Sequence, residues 1–264
     1  MKDKISPDKI KSYINTEFTG CKINCYDCVI STNLTAKENH SEPEGTVFIA
    51  EHQLKGRGRL QREWTSEASS GIYMSILLKP PLSPDRLSVI TLVTGLAAAS
   101  ALNKISKEKV CIKWPNDLLI NSKKVCGILT ELSVSEQGKY NVIAGIGLNV
   151  NNTSFPAELQ DKATSLFMEN QQEYDRSQLV GILLSEFEEY YNKFLKYGFS
   201  ALSEEYSRLC VTIGNEVEII SPSEKYTAYA LGIDSEGRLL VKRGEETRAV
   251  SSGEVSVRGL LGYA

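Results

Sequence analysis

The densest run of chemically useful side chains in this sequence is Gly56-Arg57-Gly58-Arg59-Leu60-Gln61-Arg62-Glu63-Trp64. Arg57, Arg59 and Arg62 offer rigid donor forks that match carboxylate and phosphate oxygens, while the two glycines free the backbone to close around a ligand. Anion capture is the chemistry this pattern supports. Alone, such a run is more often a solvated charged loop, and a nucleic-acid arm needs repetition and interleaved aromatics, whereas only Trp64 follows. Further along come Lys113-Trp114-Pro115-Asn116-Asp117, then Lys124-Val125-Cys126-Gly127-Ile128, then Gly145-Ile146-Gly147-Leu148-Asn149. The lysines and Asp117 bring charges of both signs. Gly145 and Gly147 leave strand backbone open where a ligand or another strand can approach. Upstream lie Ser31-Thr32-Asn33 and Glu51-His52-Gln53. Taken singly, Ser31 and Thr32 also read as helix caps, Trp64 as a core anchor, and Asp117 as an acceptor at the Pro115 turn.

Elements must hold these groups in place. Residues 46–51, with Val47, Phe48, Ile49 and Ala50, and residues 72–78 read as buried strands. Between them, residues 54–70 contain almost no core positions, so they form a long loop whose glycine and charge content fits a mobile lid. A short helix opens at Ser6-Pro7, and Cys28-Val29-Ile30 reads as a strand end. Ser83-Pro84-Asp85 reads as the cap of a helix whose Leu87, Ile90, Leu92, Val93, Leu96, Ala97 and Ala101 make a broad apolar face. Residues 110–113, 118–120 and 125–132, separated by the Trp114-Pro115-Asn116-Asp117 corner and a turn at 121–124, follow hairpin grammar. A Gln137-Gly138 turn leads into strand 140–150, and the stripe Leu179, Ile182, Leu183, Phe187, Tyr190, Tyr191 and Phe194 marks a helix over 177–197. The pattern then changes. Short strands at 216–220, 226–233, 238–242 and 247–250, broken at Ser221-Pro222, Glu236-Gly237 and Arg243-Gly244, predict a small SH3-like barrel, hence domains 1–208 and 209–264.

Composition narrows the function classes. A length of 264 residues and a formal charge of -3 suit two soluble domains without a general affinity for polyanions. No apolar run approaches the roughly 20 residues of a membrane span, and residues 1–10 lack an export signal. Six scattered cysteines suit reduced thiols in a cytoplasm. Cys25-Tyr26-Asp27-Cys28 has half the spacing of a zinc site, but no second pair follows and His40 and His52 are the only histidines, so no metal site is expected. About twenty residues before the first strand are too few for a helix-turn-helix domain, so no DNA partner is expected either.

The order and spacing of these motifs resemble the biotin protein ligases, from about Cys28 to the C terminus. The resemblance implies an α/β, class II synthetase-like catalytic domain with helices against a mixed sheet, followed by the small barrel. It implies that biotin and MgATP give biotinyl-5′-AMP and pyrophosphate, and that the acyl group then passes to a lysine of the biotin carrier domain of a biotin-dependent carboxylase. Ser31, Thr32 and Asn33 resemble the family's segment at the biotin ureido group, and Gln53 and Gly56 its biotin-contacting strand end. Arg57, Gly58 and Arg59 resemble the loop that covers biotin and its adenylate, with Arg59 and Arg62 facing phosphate. Trp64 and Asn149, beside Gly147, resemble the pair that sandwiches adenine. Lys113, Asp117 and Lys124 resemble the catalytic polar group around the carboxylate and α-phosphate, with Gly127 on the floor of the biotin pocket. Many members form homodimers through sheet edges. Leu60 and Gln61 depart from the pattern, which has a basic residue and a glycine there in many members. Two alternatives stay open: a lipoate or octanoate ligase of the same fold, and a non-enzymatic nucleic-acid-binding module.

Overall fold

A computed structural model describes residues 4–83, 86–134, 140–221, 224–252 and 256–259. In chain order the catalytic part comprises α1 (Pro7–Lys11), β1 (Ile23–Tyr26), α2 (Thr32–Glu38), β2 (Val47–Ala50), β3 (Gly71–Leu78), α3 (Val89–Asn103), β4 (Cys111–Lys113), β5 (Asp117–Ile120), β6 (Lys123–Val134) and β7 (Tyr140–Asn149). It continues through α4 (Leu166–Asn170), α5 (Arg176–Tyr197) and α6 (Ser203–Leu209). Seven strands form one sheet in the order β1-β2-β3-β7-β6-β5-β4, with β1 and β2 parallel and the remaining pairs antiparallel. It is therefore the mixed sheet expected.

Alternation along the central strands separates a core face from a site face. On β3, Ile72, Met74, Ile76 and Leu78 enter the main hydrophobic core, as do Val142, Ala144, Ile146 and Leu148 of β7. Helices α3 and α5 cover this face. Helix α3 is buried almost all round, including Thr91 and Thr94. Helix α5 starts on Asp175, whose carboxylate accepts from the backbone N–H groups of Ser177 (2.8 Å) and Gln178 (3.1 Å). The intervening residues point the other way: Ser75 of β3, Gly127 of β6, and Gly145 and Gly147 of β7. Among the described helices, short α2 packs on that side, through the small cluster of Ala36, Phe48, Leu77 and Ile143.

Strands β8 (Glu216–Ile220), β9 (Lys225–Ile233), β10 (Leu239–Arg243), β11 (Glu246–Val250) and β12 (Ser256–Gly259) make a second, antiparallel sheet in the order β11-β10-β9-β8-β12. Its two ends are not paired with each other among the described residues, so the expected barrel is an open five-stranded sheet. Trp114 fastens this sheet to the catalytic part. The indole is fully buried, its Nε1 donates to the Gly237 carbonyl (3.2 Å), and its backbone N donates to Thr212 Oγ1 (3.0 Å).

Other differences from the sequence reading are local. The first strand is Ile23–Tyr26, and the expected strand end at 28–30 contributes one isolated bridge, Val29 to Gln53. Parallel pairing of β1 with β2 sets that register. Helix α3 begins at Val89, beyond the expected Ser83 cap; ahead of it Arg86 N donates to Ser83 O (3.0 Å). Pro84, Asp85, Gln137, Gly138 and Pro222 lie outside the described residues. No helix among the described residues is long and apolar enough to cross a membrane.

Candidate active site

The arginine segment is not the structureless loop expected. Arg57 and Glu63 form an antiparallel bridge, Gly58 N donates to Arg62 O (2.7 Å), and Trp64 N donates to Gly56 O (3.0 Å). These bonds fold the segment into a miniature hairpin capped by a turn at 59–61. Leu60 sits in the turn with φ 54°, a left-handed conformation that suits glycine far better than leucine. The departure from the resembled pattern thus falls on a strained position. Gly56 is required by proximity: a methyl group there would meet Ser66 Oγ at 3.1 Å and Gln53 Nε2 at 3.2 Å, with the Trp64 carbonyl closer still.

Four expected residues meet in a buried polar cluster at the start of α2. Gln53 Oε1 accepts from Thr32 N (2.9 Å) and its Nε2 donates to Ser66 Oγ (3.1 Å). Ser75 Oγ lies 2.8 Å from Thr32 Oγ1 and 2.6 Å from Asn33 Oδ1. Asn33 Nδ2 donates to Glu131 Oε2 (2.7 Å) and the Leu129 carbonyl (3.2 Å). Burial raises the Glu131 carboxyl, but hydrogen bonds from Lys37 and Asn33 and the charges of Lys37 and Arg57 outweigh it, leaving the group below its ordinary value. Ser31 occupies the N-cap of α2, yet its side chain makes no capping bond. The cap alternative therefore does not account for its hydroxyl. Asn33 lies so close to Gly145 that no side chain fits there.

A second group converges from the hairpin and the β4–β6 turns. Lys124 Nζ pairs with Asp117 Oδ1 (2.6 Å). Asn116 Nδ2 donates to Asp117 Oδ1 (3.1 Å) and to the Ile128 carbonyl (3.1 Å), while its Oδ1 accepts from Arg59 Nη1 (3.1 Å). The amide orientation is fixed chemically, because a carboxylate only accepts and a guanidinium only donates. Arg59 also donates to the Ser252 carbonyl beyond β11. Burial lowers the Arg59 pKa, partly opposed by Asp117 and reinforced by Arg62. This chain runs unbroken from the hairpin through Asn116 to Lys124. The sequence reading placed Asn116 in a motif without giving it a role.

Two adjoining cavities take in most of these residues. The larger, about 1010 Å³, is lined by Gly58, Arg59, Arg62, Trp64, Lys113, Asn116, Asp117, Lys124 and Asn149. Its far wall, from Asn152 to Ala163, went unrecognised in sequence because it is an irregular segment. It is anchored where Lys124 N donates to Lys162 O (2.8 Å), Thr164 N to Lys124 O (2.9 Å) and Asn149 Nδ2 to Thr164 O (3.0 Å). The smaller cavity, about 50 Å³, is lined by Ser31, Thr32, Asn33, Gln53, Arg57, Trp64, Lys124, Gly127, Gly145 and Gly147. All expected site residues except Gly56 line one cavity or both, and Gly56 shapes the hairpin beside them. Cations at the junction, polar hydrogen-bonding groups at one end and an indole between give the pair a lining suited to anions.

The chain is similar to known proteins over most of its length. Residues 26–149 match the Biotin/lipoate A/B protein ligase family, and residues 212–258 the Biotin protein ligase C terminal domain. The chain is 35% identical over 258 residues to the bifunctional ligase/repressor BirA of Bacillus spizizenii, covering 96% of this chain and 79% of that protein. It is 32% identical over 233 residues to the biotin--[acetyl-CoA-carboxylase] ligase of Mycobacterium tuberculosis, covering 85% of each. Among solved structures, the biotin protein ligase of Aquifex aeolicus in complex with biotin and ATP superposes with a TM-score of 0.82 at 33% identity, over 90% of this chain and 99% of that one.

Proposed function

Since the chain belongs to the biotin/lipoate A/B protein ligase family, and within it to the biotin protein ligases, we propose that its two cavities hold the reactants for both halves of biotin transfer. In the first half, a carboxylate oxygen of biotin attacks the α-phosphorus of ATP, giving biotinyl-5′-AMP and releasing pyrophosphate. In the second, the amine of a carrier-domain lysine attacks the acyl carbon, an amide forms, and AMP leaves with the bonding pair.

The observation that carries this reading is the unbroken polar path from Arg59 through Asn116 and Asp117 to Lys124 at the junction of the cavities. Two anions must approach there against their mutual repulsion, and fixed cations offset it. Lys124, Lys113 and Arg59 serve the reacting carboxylate and α-phosphate, with Asp117 holding Lys124 in place. Arg62 and Arg59 meet the phosphates, and Trp64, Gly147 and Asn149 the adenine. Ser31, Thr32, Asn33 and Gln53 bind biotin over the floor of Gly127, while Gly56, Arg57 and Gly58 shape the cover. Magnesium, when bound, neutralises phosphate charge and arrives with the triphosphate. Among the described residues no group of three or more His, Cys, Asp and Glu side chains forms a cage for it, and Asp117, Glu63 and Glu67 are the carboxylates lining the larger cavity.

The acceptor in this reading is the carrier domain of a biotin-dependent carboxylase, in the cytoplasm. In this reading the domains are residues 1–208 and 209–264, a division supported by the end of α6 at Leu209 ahead of β8. DNA binding is left out, because Arg59 is turned onto Asn116 and Ser252 and not outward. Exposed Leu132, Val134 and Tyr140 on β6 and β7 support association of two copies. The deciding experiment is incubation with ATP, biotin and a biotin carrier domain, followed by mass spectrometry of the carrier. A mass gain of one biotinyl group on one lysine is expected. No gain, where an established ligase labels the same carrier, refutes the reading, and equal labelling with lipoate refutes its specificity.

A further inference from the structure

The floor expected to carry biotin already has an occupant. Gly127 and Gly147 face each other across the β6–β7 ladder, on the side turned from the core. A methyl group on Gly127 would lie 2.7 Å from Trp64 Cζ3, and one on Gly147 would lie 2.6 Å from Cε2 and 2.9 Å from Nε1. The indole therefore rests directly on the backbone of both glycines. The free space left beside it among Ser31, Asn33 and Gln53 is about 50 Å³. That is room for a few waters at about 10–15 Å³ each, whereas small-molecule sites enclose about 300–1,000 Å³.

We propose that Trp64 is a built-in occupant of the biotin pocket: in the free protein its indole covers the Gly127–Gly147 floor, and biotin binds only as the ring swings out into the larger cavity. The proposal rests on the ligase reading above. Three features of the site make the swing workable. First, the ring sits uneasily where it is. Its Nε1 is buried without a hydrogen-bond partner among the described residues, a state that leaving the floor relieves. Second, its tether is the group that the incoming acid claims. Lys124 Nζ stands 5.2 Å from the indole centroid, a cation–π clamp, and a carboxylate drawn to that ammonium weakens the clamp as it arrives. Third, the backbone need not move. Trp64 N stays bonded to Gly56 O (3.0 Å), and Trp64 already lines the larger cavity with Asn149, so a side-chain rotation carries the ring from one cavity to the other. In this way one residue closes the empty acid pocket and, once displaced, forms a wall of the nucleotide site.

An occupant lowers apparent affinity by the fraction of time the pocket is open. If the pocket is closed about nine-tenths of the time, removing the ring tightens biotin binding about tenfold. The test is calorimetric titration of the whole protein with biotin alone, for wild type and Trp64→Ala, with thermal melts to check that both are folded. Binding about tenfold tighter in Trp64→Ala supports the proposal. Unchanged or weaker binding overturns it, since a residue that serves only the nucleotide leaves biotin binding alone. A second measurement needs no variant in the binding step: ¹⁹F spectra of wild type labelled with 5-fluorotryptophan, the Trp64 signal being assigned by its loss in Trp64→Phe. That signal is expected to shift on adding biotin without nucleotide, and a signal that stays put also overturns the proposal. Absence of biotin binding in both proteins is a separate result, which removes the ligase reading and this inference with it.

Discussion

Replacing Lys124 by glutamine tests the electrostatic account most directly. In the resting site the ammonium sits 2.6 Å from Asp117 Oδ1, with side-chain exposures of 21% and 17%, so neither charge is fully screened. Lys124→Gln does two things. On the proposed reading it removes a cation from the point where carboxylate and phosphate meet, a loss comparable to that of an oxyanion donor, about 10²–10³ in rate. It also leaves Asp117 uncompensated, where a unit charge about 6 Å from an incoming anion repels it by about 3 kcal/mol at an effective dielectric of about 20. Partial exposure of Asp117 reduces that second effect to about tenfold. The variant should therefore lose about 10³–10⁴ in biotin-dependent exchange of pyrophosphate into ATP. Adding Asp117→Asn should return about tenfold, because the stranded charge disappears. Exchange is measured at saturating biotin and ATP, so that the loss reads out in kcat. If the double variant is no faster than Lys124→Gln alone, or if only KM moves, the charge argument fails.

Three further outcomes follow from the packing and charge of this protein. Arg176, fully buried, donates to Glu51 Oε2 (2.7 Å) and the Gly71 carbonyl (3.1 Å), so Arg176→Ala strands a buried carboxylate and should cost about 3–5 kcal/mol in urea unfolding; a loss below about 1 kcal/mol contradicts the pairing. Because the folded-state pKa of Glu131 is depressed, its contribution to stability is complete above the unfolded value of about 4.3 and fades as pH falls through the lower folded value. The stability gap between wild type and Glu131→Gln should accordingly be constant from pH 7 to about 5 and narrow below that, and a gap that widens on acidification has the wrong sign. Finally, a thiol reagent at pH 8 should modify exposed Cys21 and Cys28 first and leave Cys210 and Cys126 untouched until unfolding, since burial pushes the Cys126 thiol up to about 12; rapid modification of Cys126 contradicts its burial.

How much of this was legible in the residues depends on range. The strands at 72–78 and 140–150 and the helix at 177–197 carried their own periodicity, and the structure keeps all three within a residue or two. The polar residues of the site were legible by type, since guanidinium, ammonium and paired glycines announce anion chemistry before any fold is known. Partnerships were not. That Asn116 joins Arg59 to Asp117 depends on a turn between two strands meeting a hairpin 57 residues away, and composition says nothing of such meetings. Trp114 reads as part of a motif, yet its indole is spent on Gly237, 123 residues later. The hairpin at 57–63 was hidden for a different reason: it is held by backbone bonds and buries too little apolar surface to leave a pattern. Among the described residues the second sheet is open, which strand spacing could not foretell, because it specifies hairpins and not whether the outermost strands meet.

The Gly127 and Gly147 positions show why fold and site cannot be separated here. Their neighbours Cys126, Ile128, Ile146 and Leu148 point into the core, so the pleat obliges both glycines to face the opposite side. Crowding between adjacent strands would also favour glycine, and in sequence that reading was open. What decides between them is the identity of the atoms a side chain would strike. At Gly127 and Gly147 the nearest are those of Trp64, and at Gly127 those of Lys124 as well, which come from the arginine hairpin and from the first residues of β6. The glycines are small in order to leave a surface for the loop, and for whatever replaces the loop. A slip of one residue in the β6–β7 register would turn Ile128 and Ile146 onto that surface and bury the glycines, removing the floor and opening the core together. Selection for a stable sheet and selection for a usable pocket therefore act on the same register.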